Sequence, residues 1–174
     1  MKQPYRILDM RERRYLCAFV RILVPVARNA EHPMSDLARR EIALVMWRWT
    51  ADAVDRSTGI VKQDAFKYNV HVHVATKNAR TAAALGSAGL RHEHVVPRGE
   101  LARRIIDRDL DENAIYDFLD RLCIPAIVTV DEDRRLQPRN MMPVGWDWNS
   151  GDPYEWYRRS ELYDDLVFPD AKAG

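Results

Sequence analysis

Cysteine, net charge and long apolar runs are what this chain has little of, and each shortage closes off a class of protein. The two cysteines, Cys17 and Cys123, lie far apart and neither belongs to a C-x-x-C pair, which excludes a zinc ribbon. Both fall in or beside apolar segments and read as buried free thiols, which suits a reducing cytoplasm. Lys+Arg number 27 against Asp+Glu 26, a net charge of +1. The overall field therefore does not announce nucleic acid, and any basic surface must be local. The apolar part of Tyr15 to Val26 is interrupted by Arg21 and is too short to span a bilayer. No charged-then-apolar leader opens the chain, so the expectation is a cytoplasmic protein with no membrane partner.

What is present is an ordinary globular balance: 47% hydrophobic and 30% charged over 174 residues. Such a length fits one domain that buries roughly 70% of its unfolded surface and needs no staple. No internal repeat, low-complexity tract or interdomain linker divides residues 1–174. Texture distinguishes a helical hairpin over 1–56, an α+β part over 60–136 and an aromatic tail over 141–174. The fold class this implies is α+β and helix-dominated: an N-terminal helical hairpin packed with a small β-sheet and further helices.

The first helix should run from Met10 to Asn29, with Asp9 as N-cap and Glu12 completing a capping box. Leu16, Phe19, Val20, Leu23 and Ala27 form its apolar stripe, and Pro25 argues for a kink or a break. Ser35 then caps a second helix reaching Val54, with Ile42, Val45, Met46, Trp49 and Ala53 on one stripe. Trp47 and Trp49 fall on different faces, so one of them is free to meet another element. Asp55 to Gly59 is a polar break. Asp111 caps a later helix with Ile115, Phe118, Leu119 and Leu122 on its core side. Ala126 to Val130 reads as the most buried strand, and Thr129 with Glu132 as a capping box after it. In the tail, Asp152 and Pro153 start a helix, and Trp146, Trp148, Trp156 and Tyr157 wrap back to seal the core.

Four of the five histidines stand in two His-x-His pairs. Tyr68 to Ala75 alternates as a strand should, with His71 and His73 on one face. Leu90 to Arg98 is a second β-prone run: His92 and His94 share a face, Glu93 takes the other, and Pro97 ends the strand. If the two strands pair, four imidazoles converge, an arrangement that suits zinc or another transition metal. Arg91, Arg98, Arg103 and Arg104 flank this run and could grip a phosphate backbone.

Glu93-His94-Val95-Val96-Pro97 resembles the acidic-His-Ile/Val-Val/Ile-Pro opening of the HNH, or His-Me finger, nucleases. The resemblance covers residues 90–136. It implies that Glu93 binds a divalent ion, Mg²⁺ or else Zn²⁺ or Mn²⁺, and that His94 is the general base that activates water against a phosphodiester. The family closes its site with a strand running into a helix, here Ala126 to Val130 and Asp131 to Leu136. One of Asp131, Glu132 and Asp133 would supply the second carboxylate, Asp133 being the candidate where Glu132 serves as the cap, with His92 as a further ligand. The family's helical His and preceding Asn have no counterpart here.

Two functions of different class follow. One is a metal-dependent, HNH-like nuclease acting on nucleic acid, of the kind used in restriction, toxin or mobile-element biology. The other is a non-catalytic phage or mobile-element accessory protein that holds nucleic acid or a protein partner on the same surface.

Overall fold

The computed structural model describes residues 4–86, 89–136 and 141–169. Helix α1, Met10–Arg28, opens as its sequence directs: the Asp9 carboxylate accepts from the Glu12 N–H at 3.0 Å and the Glu12 carboxylate accepts from the Asp9 N–H at 2.7 Å. Pro25 removes one N–H from the ladder but does not break the helix, and the Asn29 N–H still reaches the Pro25 carbonyl at 3.3 Å. Helix α2, Ser35–Ala51, packs back against it as the second arm of a hairpin. Ser35 is not its cap. That hydroxyl donates instead to the Ala27 carbonyl at 3.1 Å and ties the corner of the hairpin, while Met34 stands at the cap without a side-chain bond.

The second helix stops at Ala51, short of Val54, because the chain turns extended at Asp52 and enters a strand. A three-stranded antiparallel sheet forms from β1, Tyr5–Ile7, β2, Ala53–Asp55, and β3, Val61–Lys62, with β2 in the middle. The turn between β2 and β3 is held by the Asp55 carboxylate, which accepts from the N–H groups of Ser57 and Thr58. Gly59 takes the left-handed conformation, φ +69°, that closes it.

A second, four-stranded sheet carries the chemistry. Its strands are β4, Val74–Thr76, β5, Leu90–His94, β6, Pro125–Thr129, and β7, Leu166–Val167, in the order β5-β6-β4-β7. β4 and β6 run parallel and the other two pairings are antiparallel. The alternation from Tyr68 to Ala75 proves to be strand only from Val74. Asn69 breaks it: its side chain accepts from the His71 N–H at 3.0 Å and its carbonyl from the His73 N–H at 3.1 Å, an Asx-type turn. His71 is consequently exposed and His73 buried, so the two do not share a face.

Between the strands lie α3, Lys77–Ala84, α4, Arg98–Arg108, α5, Glu112–Leu122, and α6, Val130–Arg135. Asp111 caps α5 as expected, accepting from the Ala114 N–H at 2.8 Å. The principal core fills the space among α1, α2, α4 and α5, where Ile42, Met46, Leu101, Ile105, Ile115 and Leu119 are fully buried. Each such side chain contributes about 1.5 to 3 kcal/mol of burial free energy. Cys17 and Cys123 are free thiols inside this core, and burial pushes the Cys17 thiol up to about 12.

The tail seals that core from outside. Trp146, Trp148 and Trp156 pack on it, and Tyr157 is buried against the four-stranded sheet. A Cβ on Gly151 would lie 2.6 Å from the Trp146 ring nitrogen, so only glycine fits that approach. The tail's helix, α7, Glu155–Arg159, starts later than Pro153, since the Asp152 carboxylate accepts from the Tyr154 N–H in a turn that precedes it. Among the described residues no helix is long and apolar enough to cross a membrane.

Candidate functional site

Strand β5 lies at the edge of the sheet, and its His92 and His94 side chains meet Trp47 and Thr50 in the C-terminal half of α2. In register with β6, Leu90 stands opposite Thr129 and His94 opposite Pro125. Alternation turns His92 and His94 the same way, toward α2, with ring centroids 5.2 Å apart. A cleft of about 810 Å³ opens there, walled by Arg40, Leu44 and Trp47 of α2, by His92, Glu93 and His94 of β5, by Arg98 at the start of α4, and by Trp156 of the tail.

His94 is fixed from behind. Its Nε2 lies 3.1 Å from the Met46 carbonyl and 3.1 Å from the Thr50 hydroxyl. A carbonyl only accepts, and the Thr50 hydroxyl spends its own proton on backbone carbonyls, at 3.1 Å on Trp47. Nε2 must therefore carry the hydrogen, which leaves the lone pair of the neutral ring on Nδ1. Burial pushes the His94 pKa down to about 3, opposed by the Met46 hydrogen bond and reinforced by the charges of Arg98 and His73. The residue is half-buried and lines the cleft.

His92 is the centre of a row of rings. Trp47 meets it edge-on at 4.8 Å, His94 at 5.2 Å and His73 at 5.4 Å. Both His92 ring nitrogens and the Nε2 of His73 are buried without a hydrogen-bond partner among the described residues. Burial, then the neighbouring charges of His94, His73, Arg98 and Lys67, press the His92 pKa far below its ordinary value. Burial also takes His73 down to about 4, against a hydrogen bond to the Phe66 backbone that raises it. Lys67 and Arg98 each stand 5.0 Å from the Trp47 ring, so the indole carries cations beside the imidazoles.

At the Leu90–Thr129 end of the β5–β6 strand pair, Glu132 is a structural carboxylate. It accepts from the Thr129 N–H at 2.8 Å and hydroxyl at 3.0 Å, the Thr76 hydroxyl at 2.7 Å and the Asn78 amide at 3.0 Å. The capping box read from Thr129 and Glu132 is present, and it accounts for Glu132 without a ligand role.

The residues singled out by sequence divide accordingly. His92, Glu93, His94 and Arg98 meet in the cleft. Asp133 is not in that lining, although Leu136, the residue that caps the C-terminus of α6, is. Arg103 pairs with Glu100 and Asp107 on α4, Arg104 lies 5.1 Å from the Trp148 ring, and Arg91 is exposed and bonds its neighbour's carbonyl. Sequence reasoning missed Arg40, Thr50 and the Met46 carbonyl, all brought in by helix packing. Among the described residues, no group of three or more His, Cys, Asp or Glu is arranged to hold a metal ion. No protein-family model, curated protein or solved structure matches the chain.

Proposed function

We propose that the cleft binds nucleic acid and that the protein hydrolyses its phosphodiesters, with His94 as general base. The observation that carries this reading is the tautomer of His94: Nε2–H anchored on the Met46 carbonyl and a lone pair on Nδ1, in a cleft that also holds Arg98, Arg40 and Trp47. In the step this supports, Nδ1 takes a proton from water as its oxygen attacks phosphorus. The bond to the leaving oxygen breaks, and that oxygen is protonated from solvent. The guanidinium groups of Arg98 and Arg40 would offset the charge that builds on the phosphoryl oxygens.

The divalent ion implied by the His-Me finger resemblance would need Glu93, His92 and Asp133 in one coordination sphere. Strand alternation directs Glu93 away from His92, and Asp133, on α6, is not in the cleft lining. Among the described residues no group of three or more His, Cys, Asp or Glu is arranged to hold an ion, and the step above uses the chain's own groups.

The accessory-protein reading has one observation in its favour. A His94 pKa near 3 makes a weak base at neutral pH, unless a bound phosphate raises it. The test is cleavage of plasmid DNA and of structured RNA, with chelator and separately with Mg²⁺, Mn²⁺ or Zn²⁺. His94→Ala should lose about a hundredfold or more of the wild-type rate at matched circular dichroism. Wild-type protein that is folded, binds nucleic acid and cuts nothing under any condition would leave the accessory role standing.

A further inference from the structure

His73 and His92 are the buried imidazoles that the proposed hydrolysis does not use. They come from separate parts of the chain, the Asn69 turn before β4 and the middle of β5, and meet with ring centroids 5.4 Å apart. Their relative exposures are 5% and 7%. The Nε2 of His73 and both ring nitrogens of His92 are unmatched. Burying a polar atom without a partner costs about 1 to 3 kcal/mol, and two adjacent imidazoles incur that cost together.

The spacing fits a shared ion. Two imidazoles bound to one tetrahedral zinc, with N–Zn bonds of about 2.0 to 2.1 Å, hold their ring centroids roughly 5.2 Å apart. The protonation states fit as well. Both rings are held neutral by burial, and the hydrogen bond between His73 and the Phe66 backbone raises the basicity of that ring. A histidine ligand is typically set this way, one nitrogen donating to a backbone carbonyl and the other left with its lone pair. His92 also lines the cleft, which gives an ion a path of entry.

From this geometry we infer that His73 and His92 form a two-imidazole site for a borderline or soft transition-metal ion of the Zn²⁺, Co²⁺, Ni²⁺ or Cu²⁺ class. Nitrogen ligands select these ions over Mg²⁺. Two protein ligands leave the remaining positions open to water or to an anion. Lys67 and Arg98, both beside Trp47, oppose a bare dication and favour an anion that accompanies it. The site shares His92 with the ion implied by the nuclease resemblance but uses neither Glu93 nor Asp133, and it does not depend on catalysis.

The experiment uses the full chain without an affinity tag, stripped of metal by chelator and titrated with Co²⁺ and Zn²⁺. Calorimetry gives the stoichiometry, and visible absorption of Co²⁺ reports the ligand field. The expected result is one bound Co²⁺ per chain with a d–d band that Zn²⁺ displaces. The affinity should fall about tenfold or more in His73→Phe and in His92→Phe, and stay unchanged in His71→Ala, whose imidazole is exposed on the same turn. Circular dichroism confirms that each variant is folded, and His73→Gln serves where the larger ring disturbs the turn. No binding to the wild type, or binding that survives both phenylalanine variants, overturns the site. Neither result bears on cleavage by His94, which is read separately in the presence of chelator.

Discussion

The two ends of the β5–β6 strand pair treat buried polar groups in opposite ways. At the Leu90–Thr129 end, the Glu132 carboxylate is buried to 3% exposure and accepts hydrogen bonds from Thr129, Thr76 and Asn78, so the knot ties β4, α3 and α6 together. Toward the His94–Pro125 end, His92, in the middle of β5 opposite Ile127, is buried nearly as deeply with neither ring nitrogen matched among the described residues. A satisfied polar network rigidifies a fold, whereas an unsatisfied one costs stability and persists where a ligand completes it. The first end reads as architecture and the second as a site.

Acid should separate the two ends most strongly. His73, His92 and His94 bind protons less readily folded than unfolded, so the unfolded state takes up more protons as pH falls below 6.5. Stability from these residues is present above that pH. It is lost on acidification toward about 4 for His73 and about 3 for His94, at up to about 1.4 kcal/mol per pH unit for each ring. Urea midpoints measured from pH 7 to pH 4 should fall more steeply for the wild type than for a His73→Phe, His92→Phe double variant. Equal slopes would mean that the imidazoles already titrate normally in the fold.

Next in size is the architectural end. Glu132→Ala strands the Thr129, Thr76 and Asn78 donors and should destabilise by about 3 kcal/mol, read as a shift in the urea midpoint at pH 7. A change within about 0.5 kcal/mol would erase the contrast, since surface positions show no more than that.

Thr50→Val removes the hydroxyl that shares the His94 Nε2 proton and should cost about 1 kcal/mol. Any nuclease activity should fall with it while binding of nucleic acid is kept. Smallest, and opposite in sign to Glu132→Ala, is His92→Phe. Replacing an unmatched imidazole by an apolar ring of similar shape should leave stability unchanged or raise it by up to about 1 kcal/mol. A loss as large as that of Glu132→Ala would make His92 architectural too.

These contrasts were unequally legible in the sequence. Local rules sufficed at the Asp9–Glu12 and Thr129–Glu132 capping boxes, at the Asp111 cap and along β5, where alternation pairs His92 with His94. They failed at Asn69, where a side chain that bonds its own backbone outweighed a run of alternating valines. They also failed at Ser35, whose hydroxyl found the Ala27 carbonyl across the hairpin. The site itself depends on long-range packing: α2 supplies Trp47, Thr50 and the Met46 carbonyl, and the Asn69 turn supplies His73. No spacing rule brings those groups to β5. Four of the five residues that resemble the His-Me finger opening, Glu93, His94, Val95 and Pro97, line the cleft, while nothing local to them reveals that Arg40, Trp47 and Leu136 line it too.

The central claim is that His94 faces the cleft with a lone pair on Nδ1, and long-range ¹H–¹⁵N correlation of the ring nitrogens in ¹⁵N-labelled protein at pH 7 tests it most directly. The account predicts a neutral His94 with its proton on Nε2 and a shift confined to Nδ1 when a single-stranded oligonucleotide is added. A proton on Nδ1, or a charged imidazolium at that pH, would contradict it, because the ring would then have no base to offer a substrate.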